Sequence, residues 1–176
     1  MKLLSLLLAV VLMAFSVAGP AAAQVWEIPP LDKALNYQPK QPLQVFTADG
    51  VELAQFGAER RYFVSIAQTP KLLQDAVIAV EDARFREHSG IDPMGMARAA
   101  VAMLTGGRKQ GASTITQQVA RNMFLTQRFT AERKAREIMI ALELEKKLSK
   151  DRILELYLNE IYLGERAYGF AAAAQT

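Results

Sequence analysis

The sequence predicts a mainly α-helical domain that carries a small β-hairpin near its start and follows an apolar leader segment. Three observations support this prediction. Apolar residues recur at helical spacing from residue 70 onward, divided by helix caps and glycines. A clear strand–turn–strand pattern surrounds Asp49-Gly50. An almost uninterrupted apolar run covers residues 3–18.

Length and composition limit the classes of protein that this chain can represent. Its 176 residues suffice for one domain with a hydrophobic core. The 51% hydrophobic and 22% charged fractions indicate a globular protein with an added apolar segment rather than a disordered chain. Cysteine is absent, which excludes disulfides and thiol chemistry. The single histidine, His88, is poor support for a metal site, and none is predicted.

Positive charge is concentrated in one part of the chain. The net charge is only +3. Between residues 108 and 136, however, seven basic residues stand against the single acid Glu132. This excess favours an anionic partner, either a phosphate or a membrane surface, although a solvated helix face would show the same pattern. No nucleic-acid partner is predicted. The seven are Arg108, Lys109, Arg121, Arg128, Arg133, Lys134 and Arg136.

The first 42 residues divide into a leader and a linker. Residues 1–23 are predicted to be either a signal peptide, cleaved near Ala21-Ala22-Ala23, or a signal-anchor helix that is retained. Both interpretations send the rest of the chain out of the cytoplasm, and a buried core helix is the less favoured third interpretation. Residues 24–42 contain four prolines and no clear period, which predicts an extended linker. The domain itself is predicted to cover residues 43–176.

The domain is predicted to begin with the hairpin and to continue as helices. A strand at residues 45–47 and another at 51–54 flank the Asp-Gly turn, and residues 59–66 could add a third strand. The helices after Pro70 are expected where capping residues precede apolar spacing. These are a helix ending near Glu81, a helix from Asp92-Pro93 to about Leu104, Thr114–Phe124 capped by Ser113, Ala131–Leu148 capped by Thr130, Lys150–Leu158 capped by Ser149, and an alanine-rich helix from about Arg166.

Two adjacent carboxylates, Glu81 and Asp82, follow a segment that is apolar on nearly every side from Ala76 onward. We therefore expect a buried helix with acids at its end. A carboxylate that has lost water has a raised pKa and can accept a proton near neutral pH. A frayed helix end, stopped by Gly90, is the alternative. His88 is interpreted as a structural residue that orients this segment.

A third acid, Glu137, occupies an apolar stripe. It shares one helix face with Ala141, Leu144 and Leu148. Arg133 and Lys134, four and three residues before it, can reach its carboxylate and keep it ionised. An ordinary ion pair on a surface helix remains the alternative.

Between these acids lies a segment suited to an anion or a sugar. Gly111 precedes the Ser113-Thr114 cap, so backbone N–H groups at a helix start could face an anion. Gln118, Arg121 and Asn122 then place three polar side chains on one helix face. The alternative is a polar stripe that faces water.

Four ordered segments together resemble the motifs of the family 51 peptidoglycan glycosyltransferases. These are the glycan-polymerising domains of class A penicillin-binding proteins and of monofunctional transglycosylases, and the chain looks most like the 1A type. The resemblance runs from about Val45 to the last residue. The segments are Glu81-Asp82-x-x-Phe85-x-x-His88-x-Gly90, Gly111-x-Ser113-Thr114-Ile115-Thr116-Gln117-Gln118, Arg133-Lys134-x-x-Glu137 and Lys150-Asp151-Arg152-Ile153-Leu154-Glu155-Leu156-Tyr157-Leu158-Asn159.

The resemblance implies a lysozyme-like domain at the outer, periplasmic face of the cytoplasmic membrane that polymerises lipid II into β-1,4 glycan. It implies inversion at the anomeric carbon and release of undecaprenyl diphosphate. Glu81 matches the catalytic base, and Glu137 matches a second catalytic acid that orients cations or the diphosphate. A divalent cation, magnesium or manganese, could accompany the diphosphate. The implied substrate-binding residues are Asp82, Ser113, Thr114, Gln118, Arg121, Asn122, Arg133 and Lys134.

The resemblance also implies partners and an incomplete domain. Nascent glycan, the outer leaflet of the cytoplasmic membrane and other cell-wall synthesis proteins are the implied partners. Family domains continue beyond Thr176, so the chain is expected to be truncated at its C-terminus. No Ser-x-x-Lys motif of the transpeptidase kind occurs, so crosslinking is not assigned.

Two other functions and two interpretations of the apolar residues stay open. The chain could be a lysozyme-like glycan hydrolase, or a membrane-anchored binding module without catalysis. A bilayer-docking surface is expected between residues 94 and 129, where apolar residues alternate with basic ones. The same residues could instead form the core. They are Met94, Met96, Met103, Met123, Phe124, Leu125 and Phe129.

Overall fold

The computed structural model of the chain confirms a mainly helical architecture. It describes residues 27–40, 42–106, 111, 113–126 and 128–175, so the predicted leader at 1–23 lies outside the described residues. The elements, in chain order, are α1 (Asp32–Leu35), β1 (Leu43–Phe46), β2 (Glu52–Phe56), β3 (Arg60–Arg61), a 3-10 turn (Ile66–Gln68), α2 (Lys71–Glu81), α3 (Pro93–Leu104), α4 (Ile115–Phe124), α5 (Ala131–Lys147), α6 (Lys150–Glu160), β4 (Ala167–Tyr168) and α7 (Phe170–Ala173).

The predicted hairpin is confirmed. Strands β1 and β2 pair antiparallel, with Leu43 opposite Phe56. Gly50 in the turn has a φ of +86°, which an L side chain rarely adopts. The predicted third strand shrinks to β3, and it pairs parallel with β4 rather than with the hairpin. Its partner lies about a hundred residues later, and local sequence patterns carry no signal for such a pairing.

The core lies between α4, α5 and α6. These helices bury Ile115, Val119, Leu144 and Leu154 completely. Thr130 and Ser149 cap α5 and α6 as predicted, since each side chain accepts a hydrogen bond from a backbone N–H in the first turn. Helix α4 is capped by Thr114 rather than by the predicted Ser113, and Thr114 forms a capping box with Gln117.

The segment predicted as an extended linker is partly structured. Residues 32–35 form α1, and Leu31 and Ala34 are buried in the core with 5% and 0% exposure. The four prolines predicted an extended chain. Residues 32–35 are instead ordered because Leu31 and Ala34 pack against the core.

Helix α2 is less buried than predicted. It packs through a narrow stripe with Gln74 and Val77, whereas Leu72 and Val80 are 83% and 82% exposed. The prediction of a fully buried helix was therefore wrong. Apolar residues on every side of a helix do not show that every side is covered. Helix α2 lies at the edge of the helical core, so part of its apolar surface stays exposed.

Helix α3 also exposes apolar side chains. Met94, Met96, Val101 and Leu104 are all exposed, as is Phe129 before α5. In contrast, Met123, Phe124 and Leu125 pack against the core, and the side chain of Met103 is not described. Within the described residues, none of the helices is long and apolar enough to cross a bilayer.

The predicted alanine-rich helix from Arg166 is replaced by β4 and the short helix α7. Glu165 and Arg166 have φ values of +46° and +63°, and Gly169 has +85°. A continuous right-handed helix cannot include these residues. The turn instead returns the chain to β3.

Candidate active site

Glu81 is the last residue of α2. We predicted that its carboxylate would be desolvated, but Glu81 is exposed. It does not, however, point away from the neighbouring helices. The side-chain Nε2 of Gln118 on α4 donates a hydrogen bond of 2.9 Å to Glu81 Oε2. Gln118 is itself only 9% exposed, so it holds the acid in one orientation from a buried position.

The charge of Glu81 affects the pKa of a buried side chain, Tyr157. Its ring lies on α6 and is 3% exposed. Burial, and to a lesser extent the negative charge of Glu81, raise the pKa of Tyr157 to about 12 against the opposing positive charge of Arg121. Glu81 and Arg121 therefore lie on the same side of the helical core.

Asp82, rather than Glu81, is the acid that is buried from solvent. It is 7% exposed, and its two carboxylate oxygens lie 3.0 and 2.9 Å from His88 Nε2. A carboxylate only accepts, so Nε2 carries the hydrogen. The backbone N–H of Ile115 donates to Asp82 Oδ2 at 3.0 Å. Asp82, predicted to bind substrate, thus uses both oxygens within the protein, and His88 is structural as predicted.

The start of α4 is tied to the segment that follows Glu81. The hydroxyl of Thr114 donates to the carbonyl of Gly90 at 2.7 Å, and Thr114 is only 2% exposed. An alanine at Gly90 would bring Cβ to 3.1 Å from the backbone of Ala141, so α5 lies directly behind. Thr114, predicted to bind substrate, is a buried cap that also lines the smaller of two cavities.

Glu137 is fully enclosed at 0% exposure. Its Oε2 lies 2.5 Å from Arg133 Nη1, and its Oε1 pairs with Lys134. Lys134 also donates to Ser113 Oγ at 3.0 Å and to Gln117 at 3.2 Å. The predicted pairing with both cations is confirmed. Because no oxygen of Glu137 reaches the surface, this acid can act on a ligand only by placing Arg133 and Lys134.

Two cavities are lined by residues of this region. The smaller, about 440 Å³, is lined by Glu81 and Asp82, by Asp92 and Arg98 on the α3 side, and by Ser113. The larger, about 950 Å³, is lined by the predicted residues Arg121, Asn122 and Arg133. Gln118, which holds Glu81, lies one helical turn before Arg121 and Asn122. The acid therefore lines the smaller cavity, and the helix that holds it continues into the wall of the larger one.

Sequence reasoning missed Arg98 and Arg61. Arg98 lines the smaller cavity because α3 folds back towards Glu81. Its local signal is that it is the single cation within an otherwise apolar helix. Arg61 lines the larger cavity and contacts Glu160, 99 residues away. No local pattern could have revealed that contact.

The fold and the site together define a class: a helical domain in which one exposed carboxylate lines a cavity with Arg98, next to a larger cavity lined by Arg121 and Arg133. Comparison with known proteins gives the family. A family model described as Transglycosylase matches residues 49–176. The chain belongs to the transglycosylase family, as the four motifs predicted.

The most similar relatives include several penicillin-binding proteins 1A. The chain is 53% identical to the protein of Neisseria gonorrhoeae over 150 residues, which cover 85% of this chain and 19% of that protein. It is 51% identical to the Neisseria flavescens protein over 151 residues, with the same coverage. It is 55% identical to the Haemophilus influenzae protein over 143 residues, covering 81% and 17%. The chain thus spans about a fifth of the length of these relatives.

Proposed function

We propose that this chain is a peptidoglycan glycosyltransferase that polymerises lipid II into β-1,4 glycan and releases undecaprenyl diphosphate. The observation that carries the proposal is the position of Glu81, which lines the smaller cavity together with Arg98 and is held there by Gln118. Gln118 lies on α4, whose next turn carries Arg121 in the wall of the larger cavity. One cavity can take the acceptor sugar and the other the donor.

In the proposed reaction Glu81 is the general base. It accepts the proton of the acceptor's 4-hydroxyl while that oxygen forms a bond to the donor's anomeric carbon. The bond from this carbon to the diphosphate breaks, and the diphosphate leaves with the electron pair. Displacement from the opposite face converts an α-linkage into a β-linkage. The substrates themselves would exclude water from the exposed carboxylate once they fill the two cavities.

Diphosphate is a good leaving group, so its departure needs positive charge rather than a proton donor. Arg133 and Lys134 supply this charge, and the buried carboxylate of Glu137 holds both by ion pairs. Arg121 adds a third cation on the neighbouring helix. A guanidinium can bind two phosphate oxygens at once, which suits the two arginines to this role.

The predicted magnesium or manganese ion remains a proposal. In the ranges that the structure describes, no three acidic or histidine side chains converge as metal ligands. The diphosphate oxygens of the substrate would therefore supply most of the coordination of such an ion. No step of the proposed reaction is assigned to it.

Glycan hydrolysis is the less favoured function. A hydrolase of this kind uses two carboxylates, one as acid and one as base or nucleophile. Glu137 is enclosed and paired with two cations, and Asp82 is committed to His88 and Ile115. Neither is free to protonate a leaving sugar.

The exposed apolar surface on α2 and α3 supports a membrane location for the proposed activity. Leu72, Val80 and Leu104 are each more than 80% exposed, and Val80 directly precedes the acid that would act on a lipid-linked sugar. We propose that this surface rests on the outer leaflet of the cytoplasmic membrane. Replacing the three residues by serine should reduce sedimentation of the protein with anionic vesicles, and unchanged sedimentation would contradict this placement.

The test of the proposed function is polymerisation of labelled lipid II. Glu81→Gln should lower the rate at least about 100-fold, the usual contribution of a general base. Glu87→Gln is the matched control, because Glu87 is exposed and pairs only with Arg84 among the described residues. Wild-type rate in the Glu81 variant would refute the assignment. Loss of added glycan with no new polymer would instead indicate a hydrolase.

A further inference from the structure

The larger cavity has one wall that the family match does not cover. Its first wall is formed by Arg121 and Asn122 at the end of α4 and by Arg133 on α5. Its second wall comes from residues 33–40, including Lys33 and Lys40. The family match begins only at residue 49, so this second wall precedes it.

The second wall is held in place by the core. Leu31 and Ala34 bury their side chains, with 5% and 0% exposure. The Tyr37 ring packs against Phe63 with centroids 6.1 Å apart. The buried hydroxyl of Tyr37 lies beside Glu160, and burial is the main cause that raises its pKa above the usual range. A wall anchored at three positions along ten residues can present side chains at defined places.

The floor of the cavity suits a sugar chain. Arg61 is neutralised by Glu59 and Glu160, each at 2.8 Å, and lies over the ring of Tyr168 at 4.3 Å. The Tyr162 ring lies 5.0 Å from that of Tyr168, and Tyr162 is 55% exposed. Exposed aromatic faces attract the C–H groups of sugar rings, since the π face carries partial negative charge.

The described residues that line the larger cavity carry an excess of positive charge, with five cations against two acids. Among the described residues, the ion pairs of these cations are those of Lys40 and Arg61 with Glu59, of Arg61 with Glu160 and of Arg133 with Glu137, and none involves Lys33 or Arg121. Lys40 reaches Glu59 only at 3.8 Å and its side chain is 84% exposed. Cations on both sides of an aromatic floor suit a glycan that carries carboxylates, as the peptide stems of peptidoglycan do.

We propose that residues 33–40 form a second saccharide-binding wall, which holds a peptide-bearing glycan strand in the larger cavity beyond the reacting diphosphate. The inference rests on the proposed function, and it assigns Lys33 and Lys40 to the carboxylates of the strand and Tyr162 to a sugar ring. The cavity of about 950 Å³ lies at the upper end of the range for bound ligands and can hold more than one sugar residue.

The test measures glycan binding without catalysis. The probe is a soluble, uncrosslinked tetrasaccharide with peptide stems, prepared from peptidoglycan with a muramidase, and the readout is its dissociation constant by calorimetry with the full chain in detergent. Lys33→Ala/Lys40→Ala should weaken binding roughly tenfold, because two partly exposed charge contacts are lost. Lys146→Ala/Lys147→Ala is the control, since it removes two exposed lysines of α5 that line neither cavity.

Each outcome decides one of the two proposals. Equal binding by all three proteins, or no binding by the wild type, overturns the inference. If Glu81→Gln abolishes polymerisation while the Lys33/Lys40 variant binds normally, the proposed function stands and the second wall does not. If the wild type fails to polymerise lipid II but the Lys33/Lys40 variant still binds glycan more weakly than the control, the binding wall stands without the proposed activity.

Discussion

Replacing Glu137 by glutamine should destabilise the domain by about 3 kcal/mol, at the lower end of the range for breaking a buried ion pair. Glu137 is 0% exposed, and the side chain of Arg133 is 8% exposed, so the arginine would remain buried without its counter-ion. Glutamine keeps one oxygen that can accept a hydrogen bond, which favours the lower end. Lys134 adds little, because its side chain is 36% exposed and water replaces the lost contact.

The assay is urea unfolding followed by far-ultraviolet circular dichroism, with the free energy extrapolated to zero urea. Glu143→Gln on the same helix is the matched control, because Glu143 contacts Lys146 and Lys147 at the surface. We expect no measurable change for the control. A loss below about 1 kcal/mol for Glu137→Gln, within the range of surface pairs, would refute the argument that this carboxylate neutralises a buried cation.

Three further predictions follow from the contacts around the site. Gly90→Ala should cost more stability than Gly50→Ala by roughly 1–3 kcal/mol in urea unfolding, because both have positive φ but only Gly90 has backbone within 3.1 Å of the added Cβ; equal losses would contradict the close packing. Asp82→Asn should lower the melting temperature more than Asp75→Asn, since Asp82 is buried with two partners and Asp75 is exposed; an equal shift would contradict a stabilising role for the contacts of Asp82 with His88 and Ile115. Stability should fall as the pH rises from about 10 to about 12, because unfolded tyrosine releases its proton first and native Tyr157 keeps it; Tyr157→Phe should lessen this fall, and an unchanged slope would contradict the role of Tyr157.

Much of the fold followed from patterns that act over one or two helical turns. The caps Thr130 and Ser149 bind backbone N–H groups of their own helices, so their effect needs no distant partner. The Asp49-Gly50 turn is equally local. The ion pairs of Glu137 were predictable for the same reason, because Arg133 and Lys134 share its helix.

The local sequence could not predict which of the two adjacent acids, Glu81 or Asp82, is buried. The apolar segment before Glu81 suggested that this acid would be desolvated, but α2 lies at the edge of the core and leaves Val80 82% exposed. Asp82 is the buried acid because the backbone of Ile115 and the ring of His88 converge on it. Which of two neighbouring carboxylates loses its water depends on what packs against each, and that is a property of the whole fold.

Short-range spacing and four ordered motifs were enough to predict the helical class, the caps of α5 and α6 and the family. Three arrangements became visible only in the folded domain: Gln118 holds Glu81, Arg98 joins the same cavity, and residues 33–40 complete the larger one. These arrangements join segments between 17 and about 100 residues apart. Their positions are set by the packing of α4, α5 and α6, and sequence spacing alone carries no record of that packing.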